Sequence, residues 1–176
     1  MTRLLPALAA IVFFASPAAA LDMPSRKPGL WELKMAFEGN KIPPRVMQQC
    51  IDAATDKMMN TDFGGSAQEN CSKRDVQNAG GVITIDSVCK FGTAKTTSHA
   101  VVTGKFDSGY TVDVTSTRAG VAPVPGMAAS GSTHMKLEAK WLGACAAGQK
   151  PGDMMMGNGM KMNVLELQKM RGTPKQ

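Results

Sequence analysis

The feature that most constrains this chain is a period-two alternation of apolar and polar side chains in residues 30–38 and 132–142. In the first segment one alternating set is apolar and the other charged: Trp31, Leu33, Met35 and Phe37 against Glu32, Lys34 and Glu38. The second segment repeats the pattern with Met135, Leu137, Ala139 and Trp141. Because successive side chains of a β-strand point to opposite faces, both segments are predicted to be strands of an antiparallel sheet with one apolar face.

Residues 94–106 and 110–118 form the first of two predicted β-hairpins. They flank Asp107-Ser108-Gly109, a three-residue loop whose glycine suits a left-handed backbone position. With Phe106 facing Tyr110, the apolar side chains of both strands lie on one face and the polar side chains on the other. This register opposes Val102 with Val114, Gly104 with Val112 and Thr103 with Asp113.

The second predicted hairpin turns at Gly80 and pairs residues 71–77 with residues 82–91. In this register Cys71 lies opposite Cys89, within reach of a cross-strand disulfide. The same register opposes Arg74 with Asp86 on the other surface.

The first twenty residues are typical of a secretory signal peptide. Arg3 supplies the positive charge, Leu4–Ser16 is an apolar stretch of 13 residues, and Ala18–Ala20 matches a small-residue cleavage site. An uncleaved N-terminal anchor is the alternative. We therefore predict cleavage near Ala20 and a periplasmic or secreted protein. No transmembrane segment is expected in the mature chain, since no apolar run reaches the roughly 18 residues that one requires.

The chain has four cysteines, Cys50, Cys71, Cys89 and Cys145. An even number in an exported protein indicates two disulfides, for which three connectivities exist. The second hairpin favours Cys71–Cys89, which leaves Cys50–Cys145 by exclusion. A zinc site competes with this interpretation, but the sequence contains no C-x-x-C pair and the spacing is a weak metal signature.

Together these patterns predict an all-β fold, mainly antiparallel, in the form of a curved β-meander or half-barrel. One short helix is predicted at Asp52–Met59, with Asp52 as its N-cap. We expect a signal peptide at 1–20, a disulfide-stabilised β domain at 21–149 and a Met/Gly/Lys-rich tail at 150–176.

The start of the predicted β domain, Lys27-Pro28-Gly29-Leu30-Trp31-Glu32, resembles the start of domain of unknown function family 3617, a set of small exported bacterial proteins. The chain is also similar to this family in Cys50, in the hairpin bounded by Cys71 and Cys89, and in the closing Gly143-Ala144-Cys145. The likeness covers about residues 27–145 and continues into the Lys-Pro-Gly-Asp run at 150–153. It implies an exported location and a fold, and no catalytic residues.

Methionine is unusually frequent, with 14 residues in the chain. Five of them are clustered in the predicted tail: Met154, Met155, Met156, Met160 and Met162. Thioethers are soft ligands that favour Cu(I), so a Cu(I)-binding periplasmic protein is one hypothesis. Packing of an adaptable apolar stripe against the sheet is a second interpretation, and oxidisable side chains that spare other sites are a third.

Catalytic and nucleic-acid-binding functions find little support in the sequence. It contains no G-x-S-x-G or H-E-x-x-H motif and no phosphate-binding glycine loop, so we predict a non-catalytic protein. His99 and His134 both fall on the predicted polar face, roughly 9–10 Å apart, which indicates two solvated histidines rather than one metal site. Although the net charge is +6, the basic residues are interspersed with acidic ones and aromatic side chains are few, so we predict no nucleic-acid partner.

The predicted apolar face is too large for one short helix to cover. We therefore expect this face, together with the apolar loop 119–131, to bind a hydrophobic small molecule or an envelope protein. The candidate binding residues are Trp31, Trp141, Val124 and Met127.

Overall fold

The computed structural model describes residues 23–39, 43–60, 70–120 and 131–172. Nine strands are bounded as follows: β1 (Gly29–Glu38), β2 (Arg45–Ile51), β3 (Cys71–Ala79), β4 (Val82–Phe91), β5 (Ala94–Lys105), β6 (Gly109–Ala119), β7 (Gly131–Gly143), β8 (Asp153–Met156) and β9 (Lys161–Asn163). They form one open antiparallel sheet in the order β3-β4-β5-β6-β7-β1-β2-β8-β9. The prediction of a mainly antiparallel all-β fold is confirmed. The predicted signal peptide at 1–20 lies outside the described residues.

Two short helices accompany the sheet, α1 (Ala53–Met58) and α2 (Val164–Gly172). The predicted N-cap of α1 is confirmed, because Asp52 Oδ1 accepts a hydrogen bond of 2.8 Å from the Thr55 N–H. The Thr55 hydroxyl in turn accepts one of 2.9 Å from the Asp52 N–H, which completes a capping box. α1 packs beside β2 and α2 beside β9, so both helices lie at the β2–β9 end of the strand order.

The register between strands gathers most of the large apolar side chains on one face of the sheet. Trp31, Leu33, Met35 and Phe37 of β1 align with Trp141, Ala139, Leu137 and Met135 of β7, and the alternation continues across the neighbouring strands. We call this side the apolar face and the other side the polar face. The core lies where α1 meets the apolar face, and its buried members are Trp31, Leu33, Ile51, Met59, Ala139, Met154 and Val164.

The β5–β6 hairpin differs from its predicted register by two residues. Lys105 pairs with Gly109 and Val102 pairs with Val112, so Val102 does not face Val114. The loop comprises residues 106–108, and Gly104, not Gly109, has the positive φ of 113°. Because the side-chain period of a strand is two residues, a two-residue shift keeps every side chain on its predicted face. The predicted faces of β5 and β6 are therefore correct although the predicted pairing is not.

The β3–β4 hairpin turns on two residues, Gly80 and Gly81, both with positive φ. This turn pairs Arg74 with Ser87 on the apolar face, so the predicted pairing with Asp86 and the predicted placement of Arg74 on the other surface are both wrong. A bulge between Cys71 and Lys73 then shifts the register by one residue and places Cys71 opposite Cys89. The prediction assumes one constant register for the hairpin. In the structure, the register set by the Gly80–Gly81 turn differs by one residue from the register that pairs the two cysteines.

Both predicted disulfides are present, Cys71–Cys89 and Cys50–Cys145, and no described cysteine is free. The second bond joins β2 to the segment after β7 across 95 residues of sequence. Beyond it, the methionine-rich segment that the sequence presents as a tail contributes β8 and β9 to the same sheet. β8 pairs with β2, and this extends the sheet past the region of the predicted β domain.

Candidate functional site

Two cross-strand rows of apolar side chains occupy the middle of the apolar face. Register pairing defines the first row as Met35, Leu137, Val112, Val102 and Ile83, and the second as Phe37, Met135, Val114, Ala100, Ile85 and Val76. We call these the apolar rows. Val102 and Ile83 are fully buried, whereas the other members are only half-buried. The described helices lie toward the β2–β9 end, and the half-buried members of the rows, which lie on six strands from β1 to β3, keep part of their apolar surface accessible.

A buried polar cluster closes one end of the apolar face. Arg26 donates from its backbone N to Asp56 Oδ2 at 2.8 Å and from Nε to Asp56 Oδ1 at 2.7 Å. Its Nη1 donates to Gln49 Oε1 at 3.0 Å. All three side chains are buried, so the pair and its amide partner satisfy one another away from water. The cluster ties the segment before β1 to α1 and to β2.

Tyr110 lies beside this cluster, with its ring 5.7 Å from that of Trp31 and stacked on Phe106 at 4.8 Å. Burial raises the pKa of its phenol, the nearby Asp56 carboxylate adds to the rise, and Arg26 opposes it. Sequence reasoning missed this cluster entirely. A lone arginine before the first strand and an aspartate in a short helix carry no local signal that they will meet.

Lys27 and Pro28, which precede β1, hold both tryptophans in place. Trp31 donates from Nε1 to the Lys27 carbonyl at 2.8 Å, and Trp141 donates to the Pro28 carbonyl at 3.1 Å. The Lys27 ammonium lies 3.7 Å from the centre of the Trp141 ring, a close cation–π contact. Gly29 has φ of 131° and would bring a Cβ into the Gly143 carbonyl, so only glycine fits there.

The sequence-predicted binding residues are therefore dispersed. Trp31 is fully buried at the closed end, and Trp141 is half-buried there beneath Lys27. Val124 and Met127 lie outside the described residues. The half-buried side chains of the apolar rows keep part of their apolar surface accessible, and the register between strands was needed to find them.

The five clustered methionines are divided between the two faces. Met154 pairs with Met162 and Met156 pairs with Met47, all on the apolar face, whereas Met155 lies on the polar face and Met160 is exposed. The sulfur of buried Met154 accepts a hydrogen bond from Gln49 Nε2 at 3.7 Å. Met154 and Met162 therefore contribute to packing in the core, and Cu(I) binding by the cluster stays a prediction.

The two histidines lie on the polar face, on either side of Thr115. His99 Nδ1 is 2.8 Å from Asp86 Oδ1, and His134 Nδ1 is 2.9 Å from Glu38 Oε2. Each imidazole thus has its own carboxylate on a solvated strand. Among the described ranges, no three His, Cys, Asp or Glu residues converge on a common metal position.

Comparison with known proteins gives one family match. A family model described as protein of unknown function (DUF3617) matches residues 26–145. No curated protein and no solved structure matches the chain. In the part of the chain that the structure covers, no helix combines the length and the apolar character needed to span a bilayer. Two disulfides are typical of proteins from oxidising compartments outside the cytoplasm.

Proposed function

The chain belongs to the DUF3617 family, and we propose that it is an exported, non-catalytic protein that binds a hydrophobic ligand on its apolar rows. The observation that carries this proposal is the half-burial of the row side chains on the adjacent strands β1, β7 and β6. Contiguous apolar surface left in contact with water is typical of a binding site, because a ligand that covers it recovers hydrophobic free energy of roughly 25 cal/mol per Å².

The buried cluster of Arg26, Asp56 and Gln49 supports the same function. The Arg26–Asp56–Gln49 cluster and α1 rigidify the apolar face where the core forms, so the neighbouring rows are held in place without a ligand. A preformed apolar surface lowers the ordering cost of binding. Export is proposed on the signal-peptide pattern, with cleavage near Ala20 to a periplasmic or secreted chain, and the two disulfides support it.

Displacement of a fluorescent apolar probe tests this function. The purified, disulfide-bonded protein is titrated with N-phenylnaphthylamine, and native mass spectrometry examines the same preparation for a co-purified small molecule. We expect saturable probe binding that dodecanol displaces. Absence of both saturable binding and a co-purified molecule would refute the proposal.

A matched pair of variants locates the site. Val112→Gln places an amide among the apolar rows, whereas Thr111→Gln makes the same change one residue away on the polar face. We expect the first variant to weaken probe binding and the second to retain it, with both melting cooperatively by circular dichroism. Equal affinities in the two folded variants would place binding elsewhere and overturn the assignment.

A further inference from the structure

The charged residues of the nine strands are sorted between the two faces by type. Strand alternation and register place every strand lysine and every strand carboxylate on the polar face. The charged residues of the apolar face are three arginines, Arg45, Arg74 and Arg118. Within the described strands, the apolar face therefore carries positive charge and no negative charge.

A row of hydroxyl side chains borders the apolar rows and lies next to two of these arginines, Arg74 and Arg118. Register pairs Thr133 with Ser116, Ser116 with Ser98, and Ser98 with Ser87. We call these four residues the hydroxyl row. Ser116 Oγ lies 2.8 Å from Thr133 Oγ1, which shows that the side chains of this row meet on one face. Ser87, Ser98 and Ser116 are half-buried, as are most members of the apolar rows.

The two arginines border the hydroxyl row at different points. Arg74 pairs with Ser87 and so continues the row onto β3. Arg118 follows Ser116 by two residues on β6, about 7 Å further along the same face. Both are exposed, and no carboxylate pairs with either one in the described ranges. Moving along β6, the face thus changes from apolar at Val112 and Val114 to hydroxyl at Ser116 and cationic at Arg118.

From this gradient we infer that the ligand is a single-chain anionic amphiphile, with its apolar chain on the apolar rows and its carboxylate or phosphate head at the hydroxyl row and Arg118. The inference rests on the proposed function and specifies its ligand class. Charge complementarity supports it, because a planar guanidinium with neighbouring hydroxyls matches the oxygens of an anionic head group. The absence of carboxylates from the apolar face of the described strands is equally important, since an acidic side chain there would repel an anionic head group.

Displacement by ligands of equal chain length but different head charge tests the inference. Dodecanoate, dodecyl phosphate and dodecanol compete with N-phenylnaphthylamine at concentrations below micelle formation. We expect both anions to displace the probe at concentrations about tenfold lower than dodecanol. Equal displacement by anions and alcohol would overturn the anionic-head inference while leaving hydrophobic binding intact, whereas no displacement by any of them would refute the proposed function itself.

Substitution of Arg118 tests where the head group binds. Arg118→Gln is expected to abolish the preference for the two anions over dodecanol and to leave the affinity for dodecanol unchanged. Arg118→Lys is expected to retain part of this preference. Lys136→Gln is the matched control, because it removes the same charge from the polar face. If Lys136→Gln lowers anion affinity as much as Arg118→Gln, the preference reflects net charge alone and the assigned head site is wrong.

Discussion

Arg26 and Asp56 form a buried ion pair, with Nε 2.7 Å from Oδ1, that joins the segment before the first strand to helix α1. Both side chains lie in the protein interior, and Gln49 accepts a further hydrogen bond from the same guanidinium. The pair is therefore a contact between elements that the sheet itself does not connect. It holds α1 over the end of the apolar face, where the core forms.

Removing one partner of this pair leaves a buried charge uncompensated. Asp56→Asn is expected to lower the free energy of unfolding by about 3–5 kcal/mol, as measured by urea denaturation. Glu138→Gln serves as the control, because Glu138 pairs with Lys136 at 3.5 Å on exposed side chains and its loss costs less than about 1 kcal/mol. Similar losses in the two variants would show that the Arg26–Asp56 pair does not organise the core.

Tyr110 gives a pH-dependent signal of the same region. It is the only tyrosine in the chain, so alkaline absorbance titration reports its ionisation alone. Burial raises its pKa above the ordinary value of 10.0, and the unfolded chain in urea is expected to titrate near that ordinary value. The contribution of the buried, neutral Tyr110 phenol to stability is therefore fully present below about pH 10, and it is lost as pH rises through the folded-state pKa. Tyr110→Phe should remove this part of the alkaline loss, and identical titrations of folded and unfolded protein would contradict the burial argument.

Asp153 is expected to contribute to acid sensitivity. Burial favours its neutral form, but hydrogen bonds from Asn163 and the Lys150 N–H, together with the Lys161 ammonium, lower its pKa to about 2. A lowered pKa stabilises the fold above the unfolded-state pKa of about 4, and this contribution disappears as pH falls toward 2. Stability measured from pH 5 to pH 2 should therefore fall less steeply in Asp153→Asn than in the unaltered protein. An unchanged slope would show that these contacts do not hold the carboxylate charged.

The two disulfides should differ in their contribution to stability. Cys50–Cys145 closes a sequence separation of 95 residues, and Cys71–Cys89 closes one of 18. Chain-entropy arguments predict that replacing the first pair with alanine costs about 4.7 kcal/mol and the second about 3 kcal/mol. Urea denaturation of the two double variants measures this difference. A larger loss for the shorter loop would show that native packing outweighs the effect on the unfolded chain.

Gly29 is expected to tolerate no side chain. Its φ of 131° and that of Gly143, 129°, impose the same backbone strain on alanine, but only at Gly29 does a Cβ meet neighbouring atoms. These are the Gly143 carbonyl and Trp141 Nε1, the latter at 2.7 Å. Gly29→Ala should therefore lower the thermal midpoint more than Gly143→Ala. Equal shifts would mean that backbone strain, and not the close approach of β1 and β7, explains this glycine.

Local pattern was sufficient to predict strands β1 and β3 to β7, the short helix α1 and both disulfides, but it missed β8 and β9 in the methionine-rich segment. Alternation identifies β1 and β7 because each side chain's face depends only on its neighbours in the same strand. The α1 cap was recognisable because Asp52 acts on Thr55, three residues away. The register errors arose at the 106–108 loop, at the Gly80–Gly81 turn and at the bulge before Lys73, since a change in turn length or one added residue changes every later pairing.

Where alternation is unbroken, the sequence alone determined which side chains of one strand share a face, because the period of a strand is a local property. The bulge before Lys73 in β3 is the exception. Tertiary structure decided which of those side chains are neighbours across strands, and so produced the hydroxyl row beside Arg118 and the meeting of Arg26 with Asp56. The physical reason is that cross-strand neighbours depend on turn length, bulges and packing between segments far apart in the chain. Those contacts minimise the free energy of the whole sheet and leave no signature in any short segment.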